Sequence, residues 1–373
     1  MNQKNECREM IIRLHETPNI GWHTINKAVS AAMWQDDRNM RAERWRELGL
    51  KPQQANAAAA AMQMSYEKVE KLYEQVGATI VTYMDEEYPE PLKQIADYPW
   101  VLYAKGRIEL LTRPLLAIVG TRVPSAYGKH TTMKLAEELS HEYLTIVSGL
   151  ASGVDSLAHE AALKGPGSTI AVMGTGINEV YPPNHQSLYR RIAEQGLVIT
   201  ETPMGVKLHP GMFPLRNRII AGMTFGTIVV EAAVSSGSLI TADMAIQASR
   251  EVFAVPGPIN SPKSVGTNHL IRDSGAKLIT SAADVIAELT PLQGQLEKLR
   301  REAAAGGRSA RAAEPILTEE EDRLYRILQE KPLTMNELHE LSALPFGHLN
   351  ALLINLTIKR KIQQQSGSIY MAL

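Results

Sequence analysis

The chain has 373 residues, 44% of them hydrophobic, and its 39 lysines and arginines against 40 aspartates and glutamates give a formal net charge of −1. That length exceeds the reach of one hydrophobic core and predicts at least two domains, while the single cysteine, Cys7, excludes an internal disulfide framework and a cysteine-based zinc site. The near-neutral charge excludes the global positive field of a protein that coats nucleic acid, so a nucleic-acid site here must gather its cations locally.

The first residues, MNQKNECREMIIRLHE, carry charges where a signal peptide needs an apolar core, and no apolar run approaches the roughly 20 residues that span a bilayer. A cytoplasmic protein without a membrane partner is expected. Residues 8 to about 76 place apolar side chains at helical spacing, with an alanine-rich stretch from Ala57 to Ala61, and predict a helical domain over residues 1–80. Pro18-Asn19-Ile20-Gly21 interrupts it with a turn. The segment ETPNIGWHTI is similar to a helix-hairpin-helix, whose glycine lets backbone N–H groups approach a phosphate; an ordinary interhelical turn reads equally well.

From about residue 78 the texture changes to short β-branched runs, each followed by an amphipathic segment: ATIVTY, WVLYAKG, LLAIVG, LTIVSG, STIAVMG, GLVITE, GTIVVE and EVFAVPG. This βα alternation predicts an α/β core over residues 81–290, a Rossmann-like, largely parallel sheet covered by helices on both faces. Ligands of such sheets bind beyond the carboxyl ends of the strands. The stretch QGQLEKLRREAAAGGRSARAAEP, rich in alanine and poor in large apolar residues, predicts a linker over residues 291–314. Over residues 315–373 follow an amphipathic helix (TEEEDRLYRILQ), a second helix opened by a Thr334–Glu337 capping box, a third around His348 to Lys359, and two short strands around a Ser-Gly turn. That is the order of a winged helix. Lys359-Arg360-Lys361 is either a phosphate contact or a solvated helix end.

The candidate site residues fall where strands end. After LLAIVG come Gly120, Thr121 and Arg122, then Ser125 before a helix; a strand, a glycine loop and a helix N-terminus together make an anion site. The sequence there is neither a phosphate-binding P-loop nor the dinucleotide G-x-G-x-x-G pattern, and no cofactor is expected. Arg122 adds a fork suited to phosphate oxygens, unless it pairs with a neighbouring carboxylate. The next strand ends at Ser148 and Gly149, with Gly153 ahead of a helix that starts with Asp155 and Ser156. Asp155 and His159 share a helix face; capping with a local hydrogen bond is preferred to metal ligation, since a third ligand is missing. Gly174 ends another strand, and Phe213, Arg216, Asn217 and Arg218 combine a ring for base stacking with forks for phosphates, although Phe213 also suits a core plug. Ser236, Gly237 and Ser238 form a further polar loop before a helix. Several anion sites in a row suit a polymeric phosphate chain better than one small cofactor.

Together these segments resemble the DprA/Smf family: IVGTRVPSAYG, IVSGLASGVDSLAHEAAL, TIAVMGTGINEVYPPN, FPLRNRIIAG, VVEAAVSSGSLITADMAIQASREVFAVPG and GTNHLIRDSGA run in the family's order over about residues 85 to 285. The resemblance implies a helical SAM-like domain before the core, a winged helix after it, homodimerisation, and a non-enzymatic role. It implies binding and protection of incoming single-stranded DNA and its delivery to the recombinase RecA in natural transformation. It places the family's Gly-Ser-Arg loop on Gly120, Thr121 and Arg122, and its F-x-x-R-N-R segment on Phe213, Arg216, Asn217 and Arg218; a lysine that some members carry after the Tyr-Pro pair is Pro183 here. With a net charge of −1, single-strand binding weaker or more salt-sensitive than in basic relatives is expected.

Two rivals stand beside this reading. Gly222 to Glu231 is similar to the PGGxGTxxE signature of LOG-type nucleotide phosphoribohydrolases, with Glu231 as acid or base and Arg218 as phosphate clamp. Ile220-Ala221-Gly222 breaks that pattern, and Glu231 lies one residue too far from Gly226-Thr227, a shift that turns a strand side chain to the other face. The second rival is an adaptor that works through its surfaces and binds no DNA.

Overall fold

The structure is a computed structural model that describes residues 3–307, 317–342, 344–359, 361–365 and 369–372. It divides into two compact units, one ending at Arg300 and one beginning at Arg301.

The first unit opens with helices α1 (Gln3–His15), α2 (Trp22–Ser30), α3 (Ala42–Glu47), α4 (Pro52–Met62) and α5 (Tyr66–Glu74). In α1 the buried residues Cys7, Met10, Ile11 and Leu14 follow the three-to-four-residue spacing of one helix face. Helix α4 starts with proline at its first position and buries Ala55, Ala58 and Ala59, small side chains that let neighbouring helices approach closely. These helices do not form a core of their own. Ile12, Trp45 and Tyr73 pack in one hydrophobic cluster with Ile80, Val101, Tyr103, Ala171 and Val198 of the sheet, and the Tyr73 and Tyr103 rings stack at 4.2 Å. The expected boundary at residue 80 is therefore crossed by continuous packing.

The sheet contains β1 (Thr79–Thr82), β2 (Val101–Gly106), β3 (Leu115–Val119), β4 (Thr145–Ser148), β5 (Thr169–Met173), β6 (Leu197–Thr200), β7 (Gly226–Val229), β8 (Glu251–Ala254) and β9 (Lys277–Leu278), in the order β1-β2-β6-β5-β4-β3-β7-β8-β9. From β6 to β9 all pairings are parallel; β1 and β2 add an antiparallel edge. Every residue of β3 and β5 is buried, which is why these strands read as unbroken apolar runs. Side chains alternate between faces: Leu115, Ala117 and Val119 pack with Ile219, Ile220, Ala242 and Ala245 of two helices later in the chain, α9 (Met212–Met223) and α10 (Gly237–Gln247). Leu116 and Ile118 pack with α6 (Ala126–His141) and α7 (Val154–Ala162). Helix α8 (Gln186–Gln195) precedes β6, and α11 (Val265–Asp273) and α12 (Ala282–Glu288) complete this Rossmann-like layer arrangement.

Strand β3 lies mid-sheet: the chain steps from it through β4 and β5 to β6, then returns through α9 to β7 on its other side. The gap between the ends of β3 and β7 is thus a topological switch point, where α/β sheets leave a crevice. In register, Val119 lies opposite Val229, so both strands end at the same level.

Residues 293–307, read from composition as linker, form helix α13 (Gln293–Gly307). Leu292 and Leu296, four apart, are buried against the α6–α7 face, and Arg300 pairs with Glu142 after α6. Two apolar anchors suffice because the rest of the stretch is strong helix formers. The remainder of the expected linker, from residue 308, lies outside the described residues.

In the second unit α14 (Glu319–Glu330), α15 (Met335–Ser342) and α16 (Phe346–Ile358) surround Leu324, Leu328, Leu338, Leu349, Leu353 and Leu356, and β10 (Leu333–Thr334), β11 (Ile362–Gln365) and β12 (Ile369–Ala372) form a sheet in the order β10-β12-β11. This is a winged helix. Thr334 Oγ1 accepts from Glu337 N at 3.3 Å, while Thr334 N donates to Glu337 Oε2 at 2.7 Å, the predicted capping box. The expected turn at residues 366–368 and Arg360 lie outside the described residues. Of that basic cluster, Lys359 Nζ binds the Glu321 carboxylate at 2.5 Å and Lys361 lies 5.9 Å from the Tyr325 ring centre. No helix among the described residues is long and apolar enough to cross a membrane.

Candidate functional site

The loop after β3 is clasped from two sides. Thr121 N donates to Glu231 O at 2.7 Å, and Val154 N donates to Thr121 O at 3.2 Å. Gly153 adopts φ +88°, and a Cβ there would stand 2.4 Å from Thr121 O and 2.5 Å from Arg122 O, so only glycine allows this approach. Arg122, at the tip, is exposed and makes no ion pair or side-chain hydrogen bond among the described residues. The alternative of a carboxylate partner for Arg122 is therefore set aside.

The anion site expected at the start of α6 exists but is filled by the protein itself. Ser125 caps the helix, accepting from Gly128 N at 3.1 Å, and the buried Glu231 carboxylate accepts from Ser125 N at 2.8 Å and from Ser125 Oγ at 2.5 Å. Ser125 is thus turned inward, away from any ligand. The same bonds remove Glu231 from solvent and from the crevice lining, leaving the hydrolase reading without its acid or base.

At the end of β4, Ser148 Oγ donates to Ile118 O at 2.6 Å and is fully buried within the sheet. Gly149 makes room for Arg216: a Cβ on it would lie 2.4–2.5 Å from three guanidinium atoms. Arg216 donates to the carbonyls of Gly149 and Val172, and burial lowers its pKa to about 10, partly offset by Asp155. Asp155 accepts from Gly149 N at 3.1 Å; burial raises its pKa, opposed by Arg216. His159, also buried, meets Thr169 Oγ1 at 2.7 Å and accepts from Leu150 N at 3.3 Å; burial, then the Arg216 charge, push its pKa down to about 3. Both side chains hold local structure, and no cluster fit for a metal occurs among the described residues.

Helix α9 contributes Phe213, Arg216 and Asn217 to the crevice. Phe213 is half-buried, its ring 5.4 Å from the exposed Tyr181, and this pair flanks Arg122 in a small side chamber with Gly149, Ser152 and Arg216. It is a wall of the site and not a core plug. Asn217 Oδ1 accepts from Arg216 Nε at 3.1 Å. Arg218 points elsewhere, gripping both Glu201 oxygens at 2.7 and 2.5 Å, and Gly174 lies beneath the Phe213 ring without lining the crevice.

The opposite wall comes from the loop after β7. Ser235, Ser236, Gly237 and Ser238 open α10; the Ser236 and Ser238 hydroxyls meet at 2.8 Å, and no side chain caps this helix. The first turn of α10, Gly237 and Ser238, lines the crevice, so it is the positive end of this helix dipole, and not that of α6, which is available to an anion there. The whole crevice encloses about 590 Å³ at the switch point. Its charged lining is Arg122 and Arg216 against Asp155, a local positive excess in a chain of net charge −1.

Of the predicted residues, Gly120, Thr121, Arg122, Phe213, Arg216, Asn217, Ser236, Gly237 and Ser238 share this crevice, and Gly149 joins at the side chamber. Ser125, Ser148, Gly153, Gly174 and Arg218 support it from behind or lie apart. Tyr181 is not among the predicted residues; the signal for it is an aromatic residue at the start of the Tyr-Pro turn that leads into α8. The Pro18–Gly21 turn opens onto a separate cavity of about 760 Å³ whose lining includes Glu16 and the Arg218-bound Glu201 and no lysine or arginine to hold a phosphate.

Residues 79–290 match the family model described as DNA recombination-mediator protein A, and residues 308–368 match the DprA winged helix domain. The chain is 35% identical to Protein Smf of Synechocystis over 80% of this chain and 81% of that protein. It is 46% identical to the DNA processing protein DprA of Streptococcus pneumoniae over 55% of this chain and 72% of the relative. The X-ray structure of the Streptococcus pneumoniae protein superposes with a TM-score of 0.67 at 36% identity, over 75% of this chain and 97% of that one. A Helicobacter pylori DNA processing protein A, whose structure concerns its single-stranded DNA binding mode, superposes with a TM-score of 0.52 at 32% identity, over 57% of this chain and 95% of that one.

Proposed function

The chain belongs to the DNA recombination-mediator protein A family, the DprA/Smf proteins, and from that premise we propose that it holds single-stranded DNA across the switch-point crevice. The observation that carries this reading is Arg122: an exposed guanidinium without a protein partner among the described residues, set between the uncapped start of α10 and the Phe213–Tyr181 pair. One backbone phosphate seats on the N–H groups of Gly237 and Ser238, a neighbouring phosphate takes the Arg122 fork, and bases lean on the two rings. Nothing in this scheme reads base edges, so binding is independent of sequence. A duplex keeps its bases stacked on each other and offers none to Phe213, so single strands are preferred. Family membership further supports protection of the strand, delivery to RecA, and action as a homodimer.

Binding of fluorescent single-stranded and duplex oligonucleotides of equal length tests the reading. Tight single-strand binding, with Phe213→Ala weaker by about 5- to 150-fold, is the expected result, since one stacked base is worth roughly 1–3 kcal/mol. Equal affinity for both forms, or no loss in Phe213→Ala, would reject it.

A further inference from the structure

We infer that Glu231 is a positioning residue for this site: by filling the anion site at the start of α6 with a carboxylate of its own, it fixes the loop that presents Arg122. The inference rests on the DNA-binding reading above. The loop from Gly120 to Ser125 has no secondary structure, and an arginine at its tip grips phosphate only if its backbone is held. Glu231 ties both ends: its carbonyl accepts from Thr121 N at 2.7 Å, and its carboxylate accepts from Ser125 N at 2.8 Å and Ser125 Oγ at 2.5 Å. Glu231 is only 3% exposed, and no cation among the described residues pairs with it, so its carboxylate is held by hydrogen-bond donors and the α6 dipole. Room for it depends on Gly128, where a Cβ would stand 2.2 Å from Glu231 Oε2. Two residues beyond Glu231, Ala233 begins the opposite wall of the crevice. Glu231, two residues after β7, thus holds one end of the Arg122 loop with its backbone carbonyl and the other with its carboxylate, and adjoins in sequence the segment that forms the α10 wall.

A double-mutant cycle separates positioning from general structural support. Affinity for a fluorescent oligothymidine is measured by anisotropy for wild type, Arg122→Ala, Glu231→Ala, Glu231→Gln and the Arg122→Ala/Glu231→Ala pair, each with its thermal midpoint. Arg122→Ala and Glu231→Ala should each weaken binding about tenfold, the scale of one charge-assisted hydrogen bond, while the second substitution costs less than about twofold once the first is made. Glu231→Gln should recover part of the loss, because its amide oxygen still accepts from Ser125 N. If Glu231→Ala does not fold, Ser125→Ala, which removes one of the two carboxylate bonds together with the α6 cap, should give a smaller loss of about threefold that again vanishes beside Arg122→Ala. Losses that multiply in the paired variant, or wild-type affinity in a folded Glu231→Ala, overturn the inference while leaving the DNA reading intact. Absence of single-strand binding by the wild type overturns the reading itself, and the inference with it.

Discussion

Arg122 and Arg216 carry the same charge into one crevice, but burial gives them different duties. Arg216, 7% exposed, is committed to the carbonyls of Gly149 and Val172 and holds the floor together, leaving the exposed Arg122 to meet a ligand. Two buried histidines, one beside that floor and one at the end of α1, bring a pH dependence. Burial, helped by Arg216, lowers His159 to about 3, and burial, helped by Arg218, lowers His15 to about 4, both from an ordinary 6.5. Above about pH 6.5 neither the folded nor the unfolded chain protonates these rings, and they do not affect stability. Below it the unfolded chain binds protons that the folded chain refuses, so each histidine should cost stability, by roughly 1 kcal/mol per pH unit, as pH drops towards 4, while the raised pKa of Asp155 works in the opposite direction. Urea midpoints taken between pH 7.5 and 4.5 check this: the wild type should lose stability more steeply with falling pH than His159→Gln, and equal slopes for the two proteins contradict the burial argument. At this scale the sequence showed which residues gather at the strand ends, because the glycines and the Arg122 fork are local signals. It did not show that Glu231 fills the α6 site or that Arg218 turns to Glu201, since both partnerships bridge residues distant in sequence.

The N-terminal helices illustrate how elements share stability. Tyr73 of α5 is fully buried, stacks on Tyr103 of β2, and its hydroxyl donates to Glu16 at 2.7 Å. Tyr73→Ala should destabilise the first unit by about 3–5 kcal/mol, the usual cost of removing a large buried ring, and should lower the urea midpoint of sheet and helices together. If the sheet signal is unchanged while the helical signal melts early, the shared core is refuted. The parallel strands were legible because burial on both faces writes them as continuous β-branched runs. Helix α13 was not, because its buried Leu296 and the adjoining Leu292 are too few to lift the stretch out of a linker composition. The two-residue strand β10 is too short to show any periodicity. The helical segment was readable as helix, but not its union with the sheet, since an apolar helix face does not say what it will cover.

For the molecule as a whole, a net charge of −1 and a positive crevice are compatible because the site needs few cations in the right place. Strand order explains the placement: the chain reverses beside β3, the loops after β3 and β7 part, and the gap receives Arg122 from one side and the α10 N-terminus from the other. Loop polarity at the strand ends told that a crevice would be there; which loops face each other follows from topology, which no single segment encodes. The central claim is that Arg122 holds a phosphate of single-stranded DNA in this crevice. Its most direct test is the single-strand affinity of wild type and Arg122→Ala across a series of salt concentrations. The account predicts about tenfold weaker binding in the variant at low salt and a log–log salt slope shallower by roughly 0.7, the share of one phosphate contact on a single strand. Coincident lines for the two proteins would contradict it.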